Sequence, residues 1–501
     1  MRLLTILSLT LILACTSTKE VKQTSVTPTV TALMPTSVTV DQALVVKDIR
    51  YLASDELGGR GTGSEGIAMA AAYISQVLAE AKVSHVPGEN RYKQAVPLVE
   101  IAAPVSATLE VADKSFVLRE DLLVLDQVAF DASASLRFIG QEGVDAISQM
   151  DLKGAIVVTM AGSESEADPR AFYQLAMQKQ KAVQQAGGVA LIELYRSPRA
   201  PFSQVYRFFG AGGLKIDAKD TGRIPLLWLN DPKGNNLQVM DESAGTAIKL
   251  SLKPGTRTPV AADNLVGYIE GTDPSLKNEV VVVSAHYDHL GIDGSRGGSD
   301  SIFNGARDNA LGVAALLGVS RHFGSHPGKR PMIILAVTAE ERGLLGSEYF
   351  AQQPSLPLKQ VVFNLNFDGA GYDDTSSVTI NGYGRTTIQK DLDEAIAKSG
   401  VRPNPDPVPE MGLYQYSDNW SFAKRGVPAL NLAPGFTGFS PELMNYYHQA
   451  GDHADDLDFA YVTRYVKAAV AAAGAVVNAT ERPTWVEGDE LVPTGKSLYG
   501  K

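Results

Sequence analysis

The sequence predicts an α/β protein whose main sheet is mixed and mostly parallel, with helices on both faces and a separate β-rich domain inserted into it. Three observations support that class. Beyond Asp263, apolar runs at Leu265–Glu270, Glu279–Ala285, Met332–Thr338 and Val361–Phe367 alternate with helical stretches at Ala310–Phe323 and Thr387–Lys398, the pattern of a sheet covered on both sides. From about Ala103 to Lys253 the texture changes to short β-rich runs, such as Ala155–Met160, Gly188–Leu194 and Ile224–Leu229, around a helical Tyr173–Ala186. The chain also has 501 residues, too many for one ordinary domain at ~100–200 residues each.

In chain order, Arg2 followed by the apolar run Leu3–Leu13 has the charged start and short hydrophobic region of an export signal, far short of the ~20 residues that span a bilayer. The single cysteine, Cys15, follows Ile12-Leu13-Ala14, which resembles a bacterial lipoprotein box. Residues 1–15 therefore read as a lipoprotein-type signal peptide with Cys15 as the lipidated residue, the plainer alternative being an ordinary signal peptide that happens to contain a cysteine. One cysteine also permits no intrachain disulfide. Residues 16–40, rich in Thr, Ser, Val and Pro, read as a flexible tether.

Residues 41–102 read as a mainly helical part of the main domain, with Ala-rich apolar spacing from Ile67 to Ala81 and a loop at Ser54–Ser64 whose glycines permit tight turns. Residues 103–256 are the inserted domain, 257–482 carry the strand and helix alternation, and 483–501 read as an irregular tail. A hydrophobic share of 44% supports a sizeable core, and a net charge of −11 argues against a nucleic-acid binder, which would show a basic face.

The candidate chemistry sits where strand runs stop in polar residues. In VVVSAHYDHLG, 281–291, His286 and Asp288 are two apart and fall on the same side of an extended chain, a pairing that suits a metal-binding histidine held by a carboxylate. In GARDNALG, 305–312, Asp308 and Asn309 open an apolar helix, where the plainer reading is a helix cap. In TAEERGLLGS, 338–347, Glu340 and Glu341 follow a strand; adjacent carboxylates diverge on a regular helix, so a turn is needed if both address one site. Asp368 ends the strand before Gly369, and Tyr447, His448, Asp452 and His453 crowd YYHQAGDHADD, 446–456.

Two histidines and several carboxylates make a nitrogen and oxygen donor set suited to zinc. If Asp308 bridges two ions, His286 and Asp368 can complete one and Glu341 and His448 the other, with the ions ~3.5–4 Å apart. Glu340 is then left as a general base.

Read in order, HYDHLG, DNALG, EERGLLGS, NFDG and YHQ resemble the zinc aminopeptidase family of secreted co-catalytic metallopeptidases, and the resemblance covers most of the chain after the tether. It implies a zinc exopeptidase fold, two Zn2+ ions and peptide substrates. It also implies that His286 and Asp368 hold one zinc, that Asp308 bridges, and that Glu341 and His448 hold the second. Asp288 would orient His286, Glu340 would be the base, and Tyr447 would polarise the scissile carbonyl.

SDELGGRGTGSEG, 54–66, is similar to the N-terminal segment of the family's larger bacterial members. DLKGAIVV, AGGVALI and IPLLWLN make residues 103–256 resemble a protease-associated domain, of a kind that shapes access or binds partners. Two departures bear on specificity. Arg307 stands where relatives often carry a small polar or acidic residue, placing positive charge near the site or exposing it to solvent. Asn419 replaces a histidine common after Ser-Asp.

A carboxypeptidase or a glutaminyl-cyclase-like aminoacyl transferase would use similar ligands on the same fold. A catalytically inactive receptor-like binding module should lack ligands, and none is missing. His289 is expected to pack beside the site, outside the ligand set. His322 suits a helix C-terminus, and His85, His326 and His453 read as surface residues. Export and lipidation at Cys15 imply attachment to a bacterial outer membrane or periplasmic face.

Overall fold

Val280–His286 is buried at every position, as a β-branched strand covered on both faces must be. It lies in the middle of the main sheet of the computed structural model, which describes residues 38–162, 169–197, 200–217, 222–296 and 300–500. The expected signal peptide, Cys15 and all but the end of the tether lie outside the described residues. Residues 39–501 form one compact unit. No helix among the described residues is long and apolar enough to cross a membrane.

The main sheet has nine strands: β1 (Ser84–His85), β2 (Lys93–Ala95), β3 (Asp263–Ile269), β4 (Val280–His286), β5 (Met332–Val337), β6 (Val361–Asn366), β7 (Ser377–Asn381), β8 (Arg402–Pro405) and β9 (Ala429–Pro434). They run in the order β1-β3-β5-β4-β6-β9-β7-β8, with β2 also paired to β3. The centre is parallel, β4 lying between β5 and β6, and β6 against β9. The flanks β3 and β7 are antiparallel to their central neighbours.

This register decides where the chemistry goes. His286 pairs with Val337, and Ser284 with Asn366. Three parallel strands therefore end together, and the residues that follow each meet beyond their carboxyl ends, where open α/β sheets bind ligands. Successive side chains on β4 point to opposite faces. Val280 and Val282 pack with Ile333, Leu335, Phe350 and Phe422 on one side. Helices Leu311–Ser325 and Phe459–Asn478 pack on each other and against β4.

Residues 106–253 supply all eight strands of a second mixed sheet. Its two faces bury separate clusters, one around Leu109, Ile192 and Leu250 and one around Val157, Leu191 and Trp228. A three-stranded sheet of Leu98–Ala102, Gly212–Ile216 and Arg257–Val260 lies where the chain enters and leaves this region.

The expectation of an irregular C-terminal tail is corrected. Trp485 is buried and its indole Nε1 donates to the Gly426 carbonyl at 3.0 Å. Val492–Tyr499 is a helix, and the Tyr499 hydroxyl donates to the Val361 carbonyl at 2.7 Å. Trp485 and Leu491 belong to the cluster beneath the central strands. The segment has no apolar period of its own, because its order comes from partners far away in the sequence.

Candidate metal centre

Asp308 lies between two histidines and turns one carboxylate oxygen to each. Its Oδ1 is 3.3 Å from His286 Nε2, and its Oδ2 is 3.2 Å from His448 Nε2. Asp368 Oδ1 lies 3.2 Å from His286 Nε2, and Glu341 Oε2 lies 3.1 Å from His448 Nε2. Two groups of donor atoms thus share Asp308. His286, Asp308 and Asp368 are close enough to hold one cation, and His289, Asp308 and Glu341 form a second cluster of that kind.

Each ligand is placed by local chain geometry. Asp308 does not cap the helix that follows it. Asn309 does so, its Oδ1 accepting from the Gly312 amide at 3.0 Å. The backbone at Asp308 is non-helical, at φ −117° and ψ 91°, and the Asp308–Asn309 peptide is cis. The two glutamates sit in the turn that the sequence requires, bounded by Ala339 and Leu344 at φ 57° and 61°. Both carboxylates therefore face one centre, with Glu340 Oε2 4.0 Å from His286 Nε2. His448 also adopts a left-handed backbone, φ 56°, sparsely populated for a residue with a Cβ.

Asp288 acts differently from the side-chain pairing read in the sequence. Its backbone carbonyl is the hydrogen-bond partner of His286 Nδ1, at 3.2 Å, while its carboxylate stands 3.7 Å away. That carboxylate accepts instead from the amides of Glu340 at 3.1 Å and Glu341 at 3.3 Å. Asp288 thereby ties the end of β4 to the glutamate turn. Tyr447 stacks on His448 with ring centroids 4.1 Å apart.

The charges are strongly coupled. Burial raises the Glu340 carboxyl well above its ordinary range; His286 opposes this, and Asp368, Glu341 and Asp418 add to it. Burial would also raise Asp308, but hydrogen bonds from His286 and His448 hold it well below its ordinary value. Burial disfavours charge on His448, yet hydrogen bonds to Asp308 and Glu341 raise it to about 10. The Tyr447 phenol is pushed up by burial and by Asp308, Glu341, Glu340 and Asp368, so it stays protonated.

Three contributors, Ser417, Asp418 and Arg60, were not singled out by sequence reasoning, and a fourth, His289, is closer to the donors than that reading placed it. Ser417 donates its hydroxyl to Asp368 Oδ2 and accepts from Asn366 Nδ2. Asp418 is fully buried and raised to about 7, first by burial. His289, placed outside the ligand set, is 2% exposed and its Nδ1 lies 2.7 Å from Glu341 Oε1.

Arg60 is 1% exposed and donates to the carbonyls of Leu52, Tyr287, Asn304 and Gly305. It joins the glycine loop to both histidine- and aspartate-bearing segments, and burial lowers it only to about 10, so it remains charged. The glycines on either side of it give the one sequence signal. Arg60→Met should cost ~3 kcal/mol or more by leaving buried carbonyls without donors, read as a lower melting temperature.

Arg307 is neither a bare charge at the site nor exposed to solvent. It is buried, pairs with Asp452 at 3.0 Å, donates to the Asp456 carbonyl and lies 3.6 Å over the Tyr446 ring. It therefore links the Asp308 segment to the loop of His448. Asn419 is buried and donates to the Tyr414 carbonyl at 2.9 Å. His453 is partly exposed, 3.4 Å from Asp300, and His322 stacks on His326.

Comparison with known proteins finds relatives over part of the chain. A probable zinc metalloprotease of Pyricularia oryzae is 27% identical over 264 residues, 44% of this chain and 51% of that protein. Aminopeptidase YwaD of Bacillus subtilis is 24% identical over 239 residues, 47% of each chain. The chain thus spans about half the length of these curated relatives. The solved aminopeptidase from Aneurinibacillus sp. strain AM-1 has the same fold, with a TM-score of 0.51, 19% identity and coverage of 88% of this chain and 95% of that one. The match to peptidase family M28 covers residues 264–473 and takes in every candidate ligand. The part of the chain that carries the candidate ligands is thus similar to peptidase family M28.

Proposed function

We propose that this chain is a zinc-dependent aminopeptidase that removes amino-terminal residues from peptides, with His286 and Asp368 holding one Zn2+, Glu341 and His448 a second, and Asp308 bridging. The observation that carries the reading is Asp308 with one oxygen toward each histidine. The donors fit zinc. They are imidazole nitrogens and carboxylate oxygens, and their separations of 3.1–3.3 Å match the ~3.3 Å between ligands that each lie ~2.0–2.1 Å from a tetrahedral ion.

Zinc supplies Lewis acidity, polarising a carbonyl and making water a better nucleophile at neutral pH. The chain's own groups do the proton work. Glu340 stands beside the first cluster, and its raised affinity for protons suits a base that takes one from the attacking water and passes it to the leaving amine. The Tyr447 phenol keeps its proton and can donate to the oxyanion as charge develops. Asp288 holds the glutamate turn in register with His286.

The acidic lining favours a substrate's free amino group, drawn to Glu340 and Asp368, over a carboxylate. The two buried guanidinium groups that adjoin these loops are committed elsewhere, Arg60 to backbone carbonyls and Arg307 to Asp452. That argues against a carboxypeptidase. Residues 103–256 are read as a protease-associated-like domain shaping access to the site, and Cys15 as a lipid attachment point on a bacterial outer membrane or periplasmic face.

The test is a panel of aminoacyl amides with free and acetylated amino termini, run with zinc analysis. Cleavage of the free series alone, with about two zinc equivalents, is expected. Cleavage of acetylated substrates at equal rates would overturn the aminopeptidase reading.

A further inference from the structure

His289 is the histidine that the two-zinc reading leaves without a task, yet it is built into the centre. Its ring is buried, its amide donates to the Arg60 carbonyl at 3.2 Å, and its Nδ1 lies 2.7 Å from Glu341 Oε1 and 4.0 Å from Asp308 Oδ2. Gly305 leaves room for the ring, since a Cβ there would lie 2.6 Å from two of its carbons. Nε2 is buried without a hydrogen-bond partner among the described residues.

These distances separate two roles. Two ligands of one tetrahedral zinc, each ~2.0–2.1 Å from it, stand ~3.3 Å apart. The other ligand pairs approach that spacing, whereas His289 Nδ1 and Glu341 Oε1 are at hydrogen-bonding distance. A carboxylate only accepts, so the contact assigns the imidazole proton to Nδ1. Glu341 then has its two oxygens divided, Oε1 toward His289 and Oε2 3.1 Å from His448 Nε2.

We propose that His289 is a positioning residue for Glu341, its Nδ1–H holding Oε1 so that Oε2 alone is presented to the second zinc. The proposal rests on the two-zinc reading. It assigns His289 the task that outer hydrogen-bond partners of metal ligands perform, orienting the ligand and tuning its affinity.

The experiment is zinc titration of the metal-depleted chain against a chromophoric competing chelator, for the parent and for His289→Leu, His289→Asn and His289→Gln. The Asn amide nitrogen takes the place of Nδ1, whereas the Gln nitrogen takes that of Nε2 and Leu offers no donor. The second equivalent should bind ~10–100-fold more weakly in the Leu and Gln variants. The first should be unchanged, and the Asn variant should stay within a few-fold of the parent.

Parent-like binding by the Leu or Gln variant overturns the proposal. So does an Asn variant as weak as Gln, which would make ring volume the cause, or complete loss of the second equivalent, which would make His289 a ligand. If Leu does not fold, the Asn and Gln pair still decides. A parent chain that takes up fewer than two equivalents overturns the two-zinc reading instead.

Discussion

Glu340→Gln is expected to lower peptide turnover by ~10²–10⁴-fold, the usual contribution of a positioned general base, while the chain keeps its zinc and its melting temperature. Glutamine preserves the volume and the amide that Asp288 accepts from at 3.1 Å, so the glutamate turn should stay in place. The proton acceptor is lost, with one of the two charges that draw the amino group. The effect should fall on kcat more than on KM, because the proton moves in the transition state and not on binding.

The pH dependence follows from the same carboxyl. Burial, with Asp368, Glu341 and Asp418 adding to it against His286, raises Glu340 above the ordinary value of 4.5. A base with a raised pKa is protonated, and inactive, over a wider acidic range. Activity should therefore rise with pH through a midpoint above 4.5, and the Gln variant should lose that limb. Undiminished turnover by a zinc-replete Gln variant would assign the base elsewhere.

The second large effect is expected at Asp308. Asp308→Ala removes a donor from both clusters at once, leaving His286 with Asp368 and His448 with Glu341, one short of the three protein ligands usual for catalytic zinc. Zinc content should fall below one equivalent, and turnover should fall at least ~10³-fold, to the level of chelator-treated protein. Asp368→Ala and Glu341→Ala each touch one cluster and should leave about one equivalent. Two equivalents retained by Asp308→Ala would show that the carboxylate does not bridge.

Much of this centre is legible in the primary structure. Apolar runs that end in His286, Glu340 and Asp368 mark strands reaching a site, and donor chemistry narrows the cation before any geometry is known. A change in strand texture is visible too, between Ala103 and Lys253, and residues 106–253 supply the second sheet. These features are local in the chain, so composition and period report them.

Sequence by itself determined the fold class and the order of the candidate donors along the chain. Tertiary structure decided which atoms meet. The parallel register of β4, β5 and β6 brings three strand ends together, and the turn at Ala339–Leu344 aims two adjacent glutamates at one centre. It also joins Arg307 to Asp452, turns the Asp288 carboxylate to the glutamate amides, and sets His289 against Glu341. The tail follows the same logic, since Trp485 and Tyr499 find their partners at Gly426 and Val361. Apart from the glutamate turn, these contacts join residues about 50 to 145 positions apart, and hydrogen bonding at ~3 Å depends on packing and register that no local period encodes.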